Sequence, residues 1–231
     1  MKYRIVAFAI DLMYRIMCLL CRQRKNRIAM LSRQSADPFD FRLLDPYLRA
    51  ELGTVDIRRC CVENKMTPAV LLKQLHLCAT SSIVLVDGYV PAVSVPKRQR
   101  AKVIQMWHAL GAIKKFGYQA LGTSEGRTRE QADGLRMHRG YDAIIAGCDG
   151  AVGAFSEAFD IDADKILPIG LPRTDYISSP DFARMRQVYL DKIERRYGVS
   201  TGDGYVNVLY APTFRRHLGD DGGNILADAV T

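Results

Sequence analysis

Three short strings place groups fit for phosphoryl chemistry where an apolar run gives way to a turn. In Val103-Ile104-Gln105-Met106-Trp107-His108-Ala109-Leu110-Gly111 the run leads into a glycine-containing turn, so His108 falls at the carboxyl end of a strand. Open α/β sheets bind ligands at that edge. An imidazole there could take the proton of an alcohol as it attacks phosphorus. Lys114 and Lys115 follow six and seven residues later, within reach of the same turn, and could hold the phosphate of an anionic substrate. A histidine satisfied by backbone beside a packed Trp107 is the competing explanation.

The second string, Ile166-Leu167-Pro168-Ile169-Gly170-Leu171-Pro172-Arg173-Thr174-Asp175, passes from strand to rigid turn and ends in a cation and a carboxylate. Arg173 could fork onto a phosphate, or Arg173 and Asp175 could pair across an interdomain linker. The third, Asn207-Val208-Leu209-Tyr210-Ala211-Pro212-Thr213-Phe214-Arg215-Arg216, delivers the Thr213 hydroxyl and two guanidiniums at a strand end. A solvated basic loop is its alternative. The P-loop, the dinucleotide-binding glycine fingerprint and the zinc-protease motif are all missing from the sequence. The four histidines are too widely spaced to suggest a metal cluster, so neither a metal nor a cofactor is expected.

The elements that must position these groups are legible from Arg27 onward, where apolar strand-like runs alternate with amphipathic helical stretches. That alternation signals an α/β domain with a mainly parallel sheet. Strands are predicted at Arg27–Leu31, Ser82–Val86, Lys102–Met106, Ala143–Ala146, Ile166–Ile169 and Val206–Tyr210. Helices are predicted at Pro68–Ala79, with Pro68 suited to a first turn, at Gly150–Phe159, and at Asp181–Tyr197, which Gly198 should stop. Prolines and serines around Pro168, Pro172 and Ser178-Ser179-Pro180 mark a boundary. The resulting division is a helix over 1–26, a Rossmann-like domain over 27–178, and a linker helix with the start of an incomplete second domain over 179–231. About fifty residues follow Pro180, fewer than the ~100 of a second nucleotide-binding domain.

Composition narrows the partners. The 231 residues are 48% apolar and 25% charged, and a formal charge of +8 favours phosphate-rich substrate, acidic lipid or nucleic acid. Nucleic acid is disfavoured, because the basic residues flank an apolar helix instead of interleaving with aromatics along a sheet. The six cysteines form no disulfide-scaffold pattern and read as reduced thiols in the cytoplasm; Cys18-x-x-Cys21 lies inside a helix without a second pair.

From Tyr3 to Arg22, Ile5, Phe8, Ala9, Leu12, Met13, Ile16, Leu19 and Leu20 recur at helical spacing, with Asp11, Arg15, Cys18 and Arg22 opposite. A transmembrane span is disfavoured, since Asp11 and Arg15 near its middle would cost about 2.5–3.5 kcal/mol each. A cleaved signal is disfavoured by Arg22, Arg24, Lys25 and Arg27 where small residues belong. With Lys2 and Arg4 before the helix and that cluster after it, the segment suits an anionic membrane surface; packing on its own domain is the alternative.

The three strings, in this order, resemble the CDP-glycerol:poly(glycerophosphate) glycerophosphotransferase family over roughly Arg27 to Arg216. The match is to the family's tryptophan-histidine-glycine turn (here Trp107-His108-Ala109, with Lys114 at its lysine), its glycine-x-proline-arginine-x-aspartate turn (Gly170 to Asp175) and its tyrosine-alanine-proline-threonine-x-arginine segment (Tyr210 to Arg215). The resemblance implies an α/β fold, a Rossmann-like parallel sheet forming the acceptor-side first half of a glycosyltransferase-B-like two-domain architecture, with the donor-side second domain truncated. It implies transfer of glycerol phosphate or a related polyol phosphate from CDP-glycerol or a similar donor to a lipid-linked teichoic-acid or capsule-type polymer, at the cytoplasmic face of the membrane. His108 then matches the general base, and Lys114, Arg173, Asp175, Thr213 and Arg215 the substrate-binding positions. Ala109 departs from the family's glycine, and the later aspartate-tyrosine-serine-serine region is not in this sequence. The isolated chain is therefore expected to be inactive, and a non-catalytic acceptor-binding or membrane-docking module working with a donor-domain partner is the alternative.

Overall fold

The computed structural model describes residues 2–33, 38–62, 66–111, 114–123, 126–202, 204, 206 and 208. Two compact units divide the chain, 1–176 and 177–231.

The first unit is a six-stranded, wholly parallel sheet in the order β2-β1-β3-β4-β5-β6. The strands are β1 Arg24–Ser32, β2 Asp56–Cys61, β3 Ser81–Val86, β4 Lys102–Gln105, β5 Ala143–Ile145 and β6 Ile166–Leu167. Among the described residues its α-helices are α1 Lys2–Leu20, α2 Phe39–Leu52, α3 Pro68–Thr80, α4 Pro91–Ser94, α5 Arg129–Gly134, α6 Val152–Phe159 and α7 Pro172–Ile177, and the second unit holds α8 Pro180–Tyr197. The parallel α/β sheet expected from the sequence is the one observed. Its order reverses direction between β1 and β3, which opens a crevice at their carboxyl ends.

Local chemistry explains the elements read correctly. Thr67 caps α3 by accepting from the Val70 N–H at 3.3 Å, with Pro68 in the first turn. In the second unit Ser179 caps α8 through the Phe182 N–H, and Gly198, at φ +66°, ends it by donating to Glu194 O. The fifth predicted strand, Ile166–Ile169, shortens to β6 because Pro168 carries no N–H for the ladder. The helix predicted from Gly150 begins at Val152, after a 3₁₀ turn over Asp149–Ala151. The strand predicted at Val206–Tyr210 lies mostly outside the described residues.

The pattern did not show β2, α2 or the short helices α4, α5 and α7. β2 (Asp-Ile-Arg-Arg-Cys-Cys) is an edge strand whose charges interrupt the alternation, and α2 carries Pro46 inside it. β1 is buried from Arg27 to Ser32 without alternation because helices cover both faces. Ala29 and Leu31 join Leu75, Cys78, Phe155 and Phe159 on one side, while Ile28 and Met30 meet Phe41 on the other. Each large side chain buried this way contributes about 1.5–3 kcal/mol.

The structure shows which side of α1 packs. Ile10, Asp11 and Tyr14 are buried, and α1 lies against α3 and α5. The Asp11 carboxylate accepts the Lys97 N–H at 2.9 Å and pairs with Arg15 at 2.9 Å, while the Tyr14 hydroxyl accepts the Arg100 N–H at 2.8 Å. Asp11 thus docks together with Ile10, Tyr14, Met17 and Cys18, while Arg15 and Arg22 stay exposed. Ile5, Phe8, Leu12, Ile16, Leu19 and Leu20 face outward, Leu19 being 86% exposed. Arg27 leaves the cationic cluster as well, since it is buried against Asp56 at 2.8 Å and Thr80 at 3.1 Å.

Candidate functional site

β4 ends at Gln105, yet the ladder continues one residue further, with the Met106 N–H donating to Val86 O at 2.7 Å. Trp107 then adopts φ +55°, a left-handed backbone that a bulky residue rarely takes, and the chain turns sharply to present His108. Buried Gln105 holds that turn from both sides. Its Oε1 accepts the Trp107 N–H at 2.9 Å, and its Nε2 donates to Gly88 O beyond β3 at 3.0 Å. The Trp107 indole stacks on Phe116, centroids 4.4 Å apart.

His108 Nδ1 lies 2.9 Å from Asp87 O. A carbonyl can only accept, so Nδ1 carries the hydrogen and Nε2 keeps its lone pair. The competing explanation, a histidine satisfied by backbone beside a packed tryptophan, therefore describes one nitrogen and leaves the other chemically free.

His108 lines a pocket of about 590 Å³ with Tyr89, Trp107, Lys114, Lys115, Arg127 and His138. No carboxylate is among its described lining residues, so its field is positive. Gly117 shapes the wall at φ +56°, where a Cβ would sit 2.1 Å from Ala158 O. Beneath it His138 is buried, its Nδ1 3.2 Å from the Tyr141 hydroxyl. Burial, and then the Arg127 charge, pushes its imidazole down to about 3, so it stays neutral and adds no charge.

The structure thus brings His108 and Lys114 to one pocket and leaves Arg173 and Asp175 outside its lining. Arg173 forks, but onto protein: its Nε lies 3.0 Å from both oxygens of buried Asp40, and its Nη2 also meets Oδ2. That pairing holds the Arg173 guanidinium above its ordinary range. Asp175 is exposed in the first turn of α7, where a carboxylate suits the positive end of the helix, and the expected Arg173–Asp175 pair is not among the ion pairs of the described residues. Thr213 and Arg215 lie outside the described residues. Ala109 is accommodated without a positive φ, so its methyl does not strain the turn.

The sequence reading missed Asp87, Tyr89, Arg127 and His138. The rule that singled out His108 applies equally to Asp87-Gly88-Tyr89, which follows the strand Ser82–Val86. Arg127 and His138 carry no such signal, because neither follows a strand. Among the described residues no group of three or more acidic, histidine or cysteine side chains is placed to hold a metal; Cys21 Sγ lies 3.7 Å from His76 Nδ1 without a third partner.

Residues 57–223 match the family model for CDP-Glycerol:Poly(glycerophosphate) glycerophosphotransferase. The chain is 38% identical over 140 residues to a teichoic acid ribitol-phosphate primase of Bacillus spizizenii, covering 61% of this chain and 35% of that protein. It is 32% identical over 162 residues to a teichoic acid glycerol-phosphate primase of the same species, covering 68% and 39%. Among solved structures, the wall teichoic acid polymerase TagF, in a crystal soaked with CDPG, superposes with a TM-score of 0.59 at 16% identity, over 85% of this chain and 53% of the other. The chain therefore spans under two fifths of these two relatives and about half of TagF.

Proposed function

The chain belongs to the CDP-glycerol:poly(glycerophosphate) glycerophosphotransferase family, and from that premise we propose that it takes part in moving glycerol phosphate, or a related polyol phosphate, from a CDP-activated donor to a teichoic-acid-type polymer. The observation that carries this reading is the pocket beside His108, with no carboxylate among its described lining residues and with the His108 Nε2 left able to accept a proton. In the proposed step the acceptor hydroxyl loses its proton to Nε2 while its oxygen bonds to the donor's polyol-bearing phosphorus. The bond from that phosphorus to the CMP oxygen breaks, CMP leaves, and His108 returns the proton to solvent. Lys114 and Lys115 offset charge as it builds on the phosphoryl oxygens. Thr213 and Arg215 are proposed donor-phosphate contacts on the family resemblance, and Arg173 a residue that fixes α7 to α2 through Asp40.

Purified residues 1–231 are expected to release no CMP from CDP-glycerol, because half a cleft lacks the donor-side groups whose positioning supplies most of the rate. A longer form carrying the same region is expected to release CMP and elongate a lipid-linked acceptor. Release by the short chain would move the donor site into it. Release by neither form would leave the non-catalytic acceptor module as the reading.

The location proposed is peripheral, at the cytoplasmic membrane face. Among the described residues no helix is long and apolar enough to cross a membrane. α1 instead presents an outward apolar stripe beside exposed Arg4, Arg15, Arg22, Arg24 and Lys25, a combination suited to anionic lipid. Vesicles containing phosphatidylglycerol should sediment the chain, less so as salt rises, and the Phe8→Ser, Leu12→Ser, Ile16→Ser triple variant should stay in the supernatant while remaining folded. Equal binding of that variant would refute this placement.

A further inference from the structure

We infer that Arg33 and Arg127 form a second functional element of this site, a phosphate-binding clamp at the junction of β1 and β3 that holds the phosphate next to the accepting hydroxyl. The inference deepens the transfer reading and rests on it for the identity of the ligand, a phosphomonoester or phosphodiester of the acceptor chain.

Both guanidiniums converge on Tyr89. Arg33 Nη1 donates to Tyr89 O at 3.4 Å, and the Arg127 guanidinium lies 4.9 Å above the Tyr89 ring. Arg33 directly follows β1 and Tyr89 lies just beyond β3, so the pair occupies the crevice where the strand order reverses. Open parallel sheets bind their ligands in that crevice. Tyr89 and Arg127 also line the His108 pocket, which makes the clamp continuous with the proposed base.

Several arginines of the molecule find carboxylates: Arg27 meets Asp56, Arg59 meets Asp45 and Arg173 meets Asp40. Neither Arg33 nor Arg127 has a carboxylate partner among the described residues. Asp87, at the end of β3, accepts the Ser32 hydroxyl on its Oδ2 at 2.6 Å. Partial desolvation and then the Arg127 charge lower the Arg33 guanidinium from its ordinary range. Two like charges held by one residue, Arg33 at the Tyr89 carbonyl and Arg127 over its ring, repel each other unless an anion joins them. A phosphate satisfies both, because each guanidinium offers a planar pair of donors matched to two phosphoryl oxygens. The neutral His138 below adds no competing charge.

Trp107 is the chain's single tryptophan and lines the same pocket, so its fluorescence reports on this site alone. Titration of the 231-residue chain with sn-glycerol 3-phosphate should give a saturable change in emission that weakens with salt, and glycerol should give none. Arg33→Gln and Arg127→Gln should each raise the Kd about tenfold or more, with a melting temperature equal to or above that of the parent chain, since each removes a repulsion. No saturable response, or unchanged Kd in both arginine variants, overturns the clamp. A variant whose melting temperature falls along with its affinity identifies a structural role and overturns it too. Binding that is lost only in the arginine variants, in a protein whose longer form transfers nothing, upholds the clamp and sinks the transfer reading instead.

Discussion

Replacing His108 by alanine is expected to lower kcat about 10²–10⁴-fold in a transfer-competent form of the protein, with donor affinity little changed. Attack by a neutral alcohol on phosphorus requires that its proton leave, and His108 Nε2 is the site prepared for it. The preparation is visible in three bonds: Gln105 holds the Trp107 N–H and Gly88 O, and Asp87 O takes the Nδ1 hydrogen. The strained Trp107 backbone aims the ring and is held by stacking on Phe116 and by edge contact with Phe159. Asp87 is not placed to take over the proton, because it is buried and its Oδ2 is occupied by the Ser32 hydroxyl. Single-turnover kinetics with CDP-glycerol and a lipid-linked acceptor separate the chemical step from binding. A folded His108→Ala protein turning over at near-normal rate would remove the base from this site.

The second large effect is on stability in acid and comes from His138. Its folded imidazole titrates near 3 because burial penalises the cation, with the Arg127 charge adding to that. In the unfolded chain an imidazole titrates near 6.5. As pH falls below that value the unfolded state takes up a proton that the folded state refuses, so stability is present above about 6.5 and is lost progressively toward 3. At about 1.4 kcal/mol per pH unit, the loss approaches ~2–3 kcal/mol by pH 4.5. Urea unfolding at pH 7.0 and 4.5 should show it. His138→Asn should flatten the difference, since asparagine tolerates the φ of +57° at this position and does not titrate. Asp45 and Asp56, held below the ordinary carboxylate range by their arginines, lose stability only at still lower pH and do so in both proteins. An acid loss as steep in the variant as in the parent would show that His138 does not carry it.

These expectations drew on unequal amounts of sequence. The position of His108 was legible because a strand of four residues, Lys102–Gln105, and the turn after it are encoded within a few neighbouring side chains. α3 and α8 were legible for the same reason, through Thr67, Pro68, Ser179 and Gly198. α2 and β2 were not, because Pro46 and the Asp56, Arg58 and Arg59 charges weaken the local pattern, while burial of Phe41 and pairing with β1 stabilise both elements from a distance.

By itself, then, the sequence determined the parallel α/β class, the strand end that carries His108, and the amphipathic first helix, since periodicities of two and about four residues and caps within one turn are short-range properties. Only the tertiary structure decided which stripe of α1 docks, because the Lys97 and Arg100 amides that bind Asp11 and Tyr14 stand more than eighty residues away. It likewise sent Arg173 to Asp40, buried His138, and brought Arg33 and Arg127 together at Tyr89. Which carboxylate an arginine meets, or whether it meets one, is a competition among groups far apart in the chain that only the packed sheet and its loops resolve.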